Sequence, residues 1–226
     1  TMKASTRGYI EALTEKHRME KQLDEVRLQM LKNQINPHFL FNTLNMIAST
    51  AQIEDADTTE KMIHALSRLF RYNLKSTDSV MPLERELKVV QDYMYLQQMR
   101  FGQRIRYDTD CKPDTMEVLV PSFALQPLVE NAIIHGISPK GQGGRIHVRS
   151  WMEGRRLWIS VADTGRGMAQ ERLEEIRRAL ARGEEKATGV GVGNIYRRVH
   201  GMYRDGEVFI YSSEGRGTVV QMAFTP

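Results

Sequence analysis

Residues 144–165 read GRIHVRSWMEGRRLWISVADTG: two runs of β-type alternation, GRIHVRSWMEG (144–154) and RRLWISVAD (155–163), with a turn at Glu153-Gly154. A period of two is the pattern of half-buried strands, and a Glu-Gly pair between two such runs predicts a hairpin. The second run ends on Asp163 and passes into DTGRGM (163–168), so a carboxylate stands at a strand end, followed by glycines at 165 and 167. Similar alternation recurs in IRYDTD (105–110), EVFIYSS (207–213) and TVVQMAFT (218–225), the last two flanking Glu214-Gly215. Between these strands, helical patterns at about 121–136, 169–182 and 194–203 predict helices on one face of a mixed sheet, an α+β layer.

Upstream of Gly102 the texture is helical. Met19, Leu23, Val26 and Met30 alternate spacings of four and three, a coiled-coil signature of about two heptads. No breaker follows, so one helix is expected from about residue 9 to 52, kinked at Pro37. Asp57-Thr58-Thr59-Glu60 reads as a capping box before a second helix lined by Met62, Leu66, Leu69 and Phe70. A third begins near Pro82 and runs to Phe101 through Leu83, Leu87, Val90 and Met94. Two domains are expected, residues 1–101 and 102–226.

Composition narrows the function. At 226 residues, 27% charged with a net charge of only +4, the chain has no long basic face for nucleic acid, and none is expected as a partner. Its single cysteine, Cys111, excludes an internal disulfide and any cysteine-rich zinc site. No apolar stretch approaches the ~18 residues of a membrane-spanning helix.

Four stretches in the second half carry the chemistry: LVENAIIHG (128–136), DTGRGM (163–168), GVGVGN (189–194) and GRGT (215–218). Asn131 offers an oxygen suited to a hard cation such as Mg²⁺. Asp163 could accept a hydrogen bond from the exocyclic amine of adenine, with Gly165 and Gly167 letting the backbone approach a planar base. Gly189, Gly191 and Gly193 precede a helix expected near Asn194, where free amides favour phosphate. Residues between Met168 and Gly189 are expected to act as a lid. In the first half, NQINPHFLFNTLN (33–45) sets His38, Asn42, Asn45 and Ser49 on one polar seam of an otherwise apolar helix. By itself that histidine is equally well a core-edge residue bonded to a neighbouring amide.

The four stretches, in this order, resemble the ATP-binding domain shared by gyrase, Hsp90 chaperones, histidine kinases and MutL, a GHKL (Bergerat) α/β sandwich, over about 104–226. NPHFLFNTLN resembles the dimerisation and phosphoacceptor region of LytS and YesM type sensor histidine kinases. The resemblance implies ATP and Mg²⁺ as cofactors, His38 as phosphoacceptor, Asn131 as the Mg²⁺ ligand, and Asp163 with Gly165 and Gly167 at the adenine. It implies Gly189, Gly191 and Gly193 along the phosphates, and Thr218 beside the base. His135 would face the same site, or would simply sit at a helix end near the C-terminal dipole.

Two departures accompany this. Phe39 follows His38 where many histidine kinases carry an acid, and Pro127 stands four before Asn131 where many relatives are polar. Glu130 is then the candidate base, unless a neutral imidazole needs none. The function implied is autophosphorylation on His38 and transfer to an aspartate of a response regulator, by a homodimer. A GHKL-type ATPase clamp, or a nucleotide-dependent dimeric scaffold signalling without phosphohistidine, is the alternative. Because the chain opens inside a helical pattern, it is expected to be the catalytic end of a longer protein, and the resemblance implies the cytoplasmic portion of a membrane-bound sensor kinase whose sensor lies upstream.

Overall fold

A computed structural model describes residues 37–75, 79–182 and 190–226, and divides the chain into two units, Thr1–His64 and Ala65–Pro226. The expected coiled coil, and the helix expected upstream of Pro37 with its kink, lie outside the described residues.

In the first unit, helix α1 (Pro37–Ile53) ends in a left-handed turn at Asp55, φ 55°. The Ala56 amide donates to the Ala51 carbonyl at 2.8 Å and the Asp55 amide to Gln52 at 3.2 Å. This is a Schellman-type stop with aspartate where glycine is commoner. On α1 the hydroxyls of Thr43 and Thr50 donate to the carbonyls four residues back. Leu44, Ala48 and Ala51 are buried, whereas Met46, Ile47 and Ile53 are exposed, at 64%, 45% and 83%. An apolar helix with one polar seam should be largely buried, and within one chain that burial is only half realised. Helix α2 (Asp57–Lys75) starts where the capping box predicts, with Asp57 and Glu60 in its first turn. The Glu60 amide bonds to Ala56, so the cap sits one residue earlier than expected.

The unit boundary falls inside α2. Beyond it come β1 (Val80–Pro82), α3 (Leu83–Phe101), β2 (Ile105–Cys111), β3 (Leu119–Pro121) and α4, an α-helix over Gln126–Asn131 that widens to a π-helix over Ala132–Ile137. Then follow β4 (Gly144–Glu153), β5 (Arg156–Asp163), α5 (Gln170–Arg182), α6 (Val190–Met202), β6 (Glu207–Ser213) and β7 (Gly217–Phe224). The five-stranded sheet has the order β2-β4-β5-β7-β6, with β2 parallel to β4 and the other pairs antiparallel. Short β1 pairs separately with β3.

The alternation read from the sequence sorts the two faces. Ile146, Val148, Leu157, Ile159, Val161, Met222 and Phe224 are buried in the core, each worth about 1.5–3 kcal/mol. On the intervening positions Trp151, Trp158 and Phe209 stack in a row at 5.8 Å between ring centroids, with Arg149 and Arg156 against the indoles.

Three placements differ from expectation. Helix α3, grouped with the helical region by a boundary at 101, packs Leu83, Leu87, Val90 and Met94 into the sheet unit's core, because that sheet and α4 cover its apolar stripe. The helix expected from Pro121 begins at Gln126 instead. Pro121 ends a strand, and the amides of Phe123 and Leu125 bond to the buried Glu86. Finally, α6 starts at Val190, so Gly191 and Gly193 belong to its first turn and not to a preceding loop.

Candidate functional site

A cavity of about 320 Å³ opens among α4, β5, α5, α6, β6 and β7. Its walls are apolar: Leu128, Ala132, Val161, Met168, Ile176, Val192, Ile210 and Val220. Asn131, His135, Asp163, Arg166, Arg172 and Thr218 supply the polar groups. A slot with few, placed polar atoms is the usual form of a small-molecule site, and this one is near the small end of the ~300–1,000 Å³ range.

Asp163 closes β5. Its Oδ1 accepts from the Gly165 amide at 2.7 Å. Burial raises its carboxyl above the ordinary carboxylate range, opposed by the Gly165 and Thr218 amides and by the Lys140 charge. Lys140 also donates to the Thr164 carbonyl at 3.0 Å. The loop after Asp163 is stitched to the β6–β7 turn: the Gly215 amide donates to the Arg166 carbonyl at 2.6 Å, and the Met168 amide to the Ser212 hydroxyl at 2.9 Å. Ser212 bonds in turn with the Thr218 hydroxyl at 2.9 Å.

Glycine is required here by close approach. A Cβ on Gly136 would stand 2.8 Å from the Asp163 carboxylate, and one on Gly165 would overlap the Gly136 backbone. Gly167 and Gly217 hold φ of 64° and 104°, where a Cβ would also strike carbonyl oxygens. Gly136→Ala should displace the Asp163 carboxylate and weaken binding of a ligand that donates to it by about tenfold, the scale of one charge-assisted hydrogen bond, with ATP as the probe. Isothermal titration calorimetry checks this, and unchanged affinity would refute the contact.

Asn131 lies where α4 changes from α to π winding, a distortion common at functional sites. A Cβ on Gly191 would run into the Asn131 carboxamide and stand 3.2 Å from the Pro127 carbonyl. The first turn of α6 thus rests against the amide and contributes Val192 to the cavity wall. The apolar slot ending in a carboxylate fits a planar base with an exocyclic amine. Among the described residues there is no cluster of three or more His, Cys, Asp or Glu able to cage a metal. One carboxamide oxygen suits instead a Mg²⁺ carried on nucleotide phosphates with its own waters.

Of the residues singled out from the sequence, the cavity brings together Asn131, His135, Asp163, Gly167 and Thr218. Gly165 backs Asp163, Gly191 backs Asn131, and Gly193 is half-buried in α6. Gly189 lies outside the described residues. His38 is the second residue of α1 in the first unit, and its side chain is also outside them. Glu130 is not among the lining residues: its carboxylate accepts from Gln126 Nε2 at 2.8 Å. Burial first, and then the Glu130 charge, push the Tyr93 hydroxyl up to about 12. At about 100° per residue, position 130 turns away from the face shared by 128, 131 and 135. Sequence reasoning passed over Gly136 and Gly217, although both stand in quoted stretches; Ser212, Arg166 and Ile210 carried no local signal.

A family model described as histidine kinase matches residues 26–105, and one described as histidine kinase-, DNA gyrase B-, and HSP90-like ATPase matches residues 121–226. Sensor histidine kinase YpdA of Escherichia coli K12 is 36% identical over 186 residues, covering 81% of this chain and 32% of the relative. Sensor protein LytS of Staphylococcus saprophyticus is 33% identical over 197 residues, 87% of this chain and 33% of that protein. The chain thus spans about a third of the length of these curated relatives. The solved histidine kinase domain of the Erythrobacter litoralis EL346 blue-light activated kinase is 19% identical with a TM-score of 0.47, covering 88% of this chain and 94% of that one.

Proposed function

As the chain belongs to the histidine kinases, with both their helical region and their ATPase domain matched, we propose that it transfers the γ-phosphoryl group of ATP to His38 and from there to a response-regulator aspartate. The observation that carries this reading is the half-buried Asp163 carboxylate ending an apolar slot and backed by Gly136 and Gly165.

The adenine occupies the slot with its amine donating to Asp163, between Gly167 and Thr218. The first-turn amides of α6, at Gly191 and Gly193 with Gly189 just ahead, take the phosphates, and the Asn131 oxygen holds Mg²⁺. Held there, the ion would supply positive charge to offset that of the nucleotide's phosphates. A neutral imidazole nitrogen carries a lone pair, so His38 attacks phosphorus without a base. An N–P bond forms, the bond to the β–γ bridging oxygen breaks, and ADP leaves with that electron pair. In the second transfer an aspartate oxygen attacks, the N–P bond breaks and the imidazole is restored. Glu130, held by Gln126, takes no part in the first step. His135 lines the slot near the phosphates.

Incubation with γ-labelled ATP should give protein-bound label that is stable to base and lost in acid, as a phosphoramidate is. Nucleotide binding without such label would leave an ATPase clamp or scaffold and overturn the kinase reading.

The working form is a homodimer. Exposed Met46, Ile47 and Ile53 on α1 give it an apolar face for a second copy, in the manner of a four-helix bundle. Light scattering should return a dimer mass, and Met46→Lys with Ile53→Lys should shift it to a monomer. The chain is the cytoplasmic portion of a membrane-bound sensor kinase, and among the described residues no helix is long and apolar enough to cross a membrane.

A further inference from the structure

Glu86, on α3, is fully buried, yet it does not line the nucleotide cavity. Its carboxyl accepts from the amides of Phe123 at 2.8 Å and Leu125 at 3.0 Å, and from the hydroxyl of Tyr72 on α2. The Phe123 amide is shared with the Tyr72 oxygen at 2.6 Å. Phe123 itself has φ of 59°, a conformation that a residue with a Cβ keeps only where its surroundings over-determine it. Those surroundings are specific. The Tyr72 ring lies 4.4 Å from the Phe123 ring, Arg198 of α6 places its guanidinium 5.4 Å from that ring, and it donates to the Ser122 carbonyl.

The turn gripped in this way, residues 122–125, runs straight into α4, whose Leu128, Asn131, Ala132 and His135 line the cavity. Arg198 ties it to α6, which supplies Val192 to the cavity and Gly191 to the back of Asn131. Helices α2, α3, α4 and α6 therefore meet at one strained turn. Of these, α4 and α6 build the nucleotide site, whereas α2 and α3 supply no residue to its lining.

We propose that Tyr72 and Glu86 are positioning residues that form a latch, through which helix α2 sets the placement of α4 and hence the affinity of the site for ATP. This rests on reading the cavity as a nucleotide site. The chemistry suits a latch better than a passive core contact. Burial raises both the Glu86 carboxyl and the Tyr72 hydroxyl above their ordinary values, so the phenol keeps its proton and donates it. Losing that one donor leaves the carboxyl with only backbone partners, all on the turn. Helix α2 is then held by the apolar packing of Leu69 and the Tyr72 ring with Met81 and Val89, and by the Arg68–Asp92 ion pair to α3, neither of which reaches the turn's backbone amides. A shift of α2 is therefore felt at residues 122–125 before it reaches the sheet.

Tyr72→Phe in the full chain removes the hydroxyl and keeps the ring. Hydrogen exchange without nucleotide should quicken about tenfold at the amides of 126–137 and stay unchanged in β4 and β5, as expected for losing a bond to a buried charge. The Kd for ATP should rise about tenfold, while labelling at saturating ATP stays within about twofold. Glu86→Gln, which turns an amide donor toward backbone N–H groups, should move both readouts further in the same direction and serves if the first variant folds poorly. Unaltered exchange over 126–137, or faster exchange with an unaltered Kd, would overturn the latch. If the native chain bound no ATP, the reading of the cavity would fail, and the nucleotide-free exchange would still decide whether α2 positions α4.

Discussion

His38→Gln is expected to reduce phosphoryl labelling to background while leaving the Kd for ATP within about twofold, since a carboxamide nitrogen has no lone pair available to attack phosphorus. The split between the two readouts is the informative part. Every residue assigned to nucleotide contact belongs to the second unit, whereas His38 belongs to the first, on α1. A variant that lost both binding and labelling would point to misfolding, and one that kept its label would refute His38 as acceptor. Acid lability of the native label, measured alongside, separates phosphohistidine from a hydroxyl ester.

Asp163→Asn should weaken ATP binding by about 10–100-fold, the ~1.5–3 kcal/mol of a hydrogen bond to a charged group. An amide in this place can turn an N–H₂ donor toward the adenine amine, itself a donor. The fold should tolerate the change. Because burial raises the Asp163 carboxyl in the folded chain, its ionised form is disfavoured by folding, and that cost is present above the raised value and relieved as pH falls through it. Thermal unfolding at neutral pH should therefore be little affected by asparagine, which carries no charge. The same sign predicts that native ATP affinity declines on acidification at a higher pH than an exposed aspartate would show, as the carboxylate gains its proton. Unchanged affinity in Asp163→Asn would remove the adenine assignment.

Much of the site was legible in the chain because its signals are local. Residues 144–153 and 156–163 alternate with period two, and the structure pairs them as β4 and β5 across the turn at Glu153-Gly154. From that alternation Asp163 stands at a strand end, whereas the glycines after it read as room for a planar base, and only the structure shows Gly165 bonded to the Asp163 carboxylate. Helices 83–101 and 170–182 followed equally well from apolar spacing, which records the direction of each side chain about its own axis.

What spacing does not record is the partner. The stripe of Leu83, Leu87, Val90 and Met94 looks the same whether a helix or a sheet covers it, and only the fold assigned α3 to the sheet unit. Glu130 and Asn131 are adjacent in sequence, yet the packing of α4 turned one toward Gln126 and Tyr93 and the other into the cavity. Glu86 drew no reading from the sequence. It became a buried anchor because Tyr72, fourteen residues before it, and the 122–125 turn, more than thirty residues after it, converge on its carboxyl. Periodicity states which way each side chain points, but the low-dielectric surroundings that give a carboxylate its work are built by residues distant in the chain, and only tertiary structure brings them together.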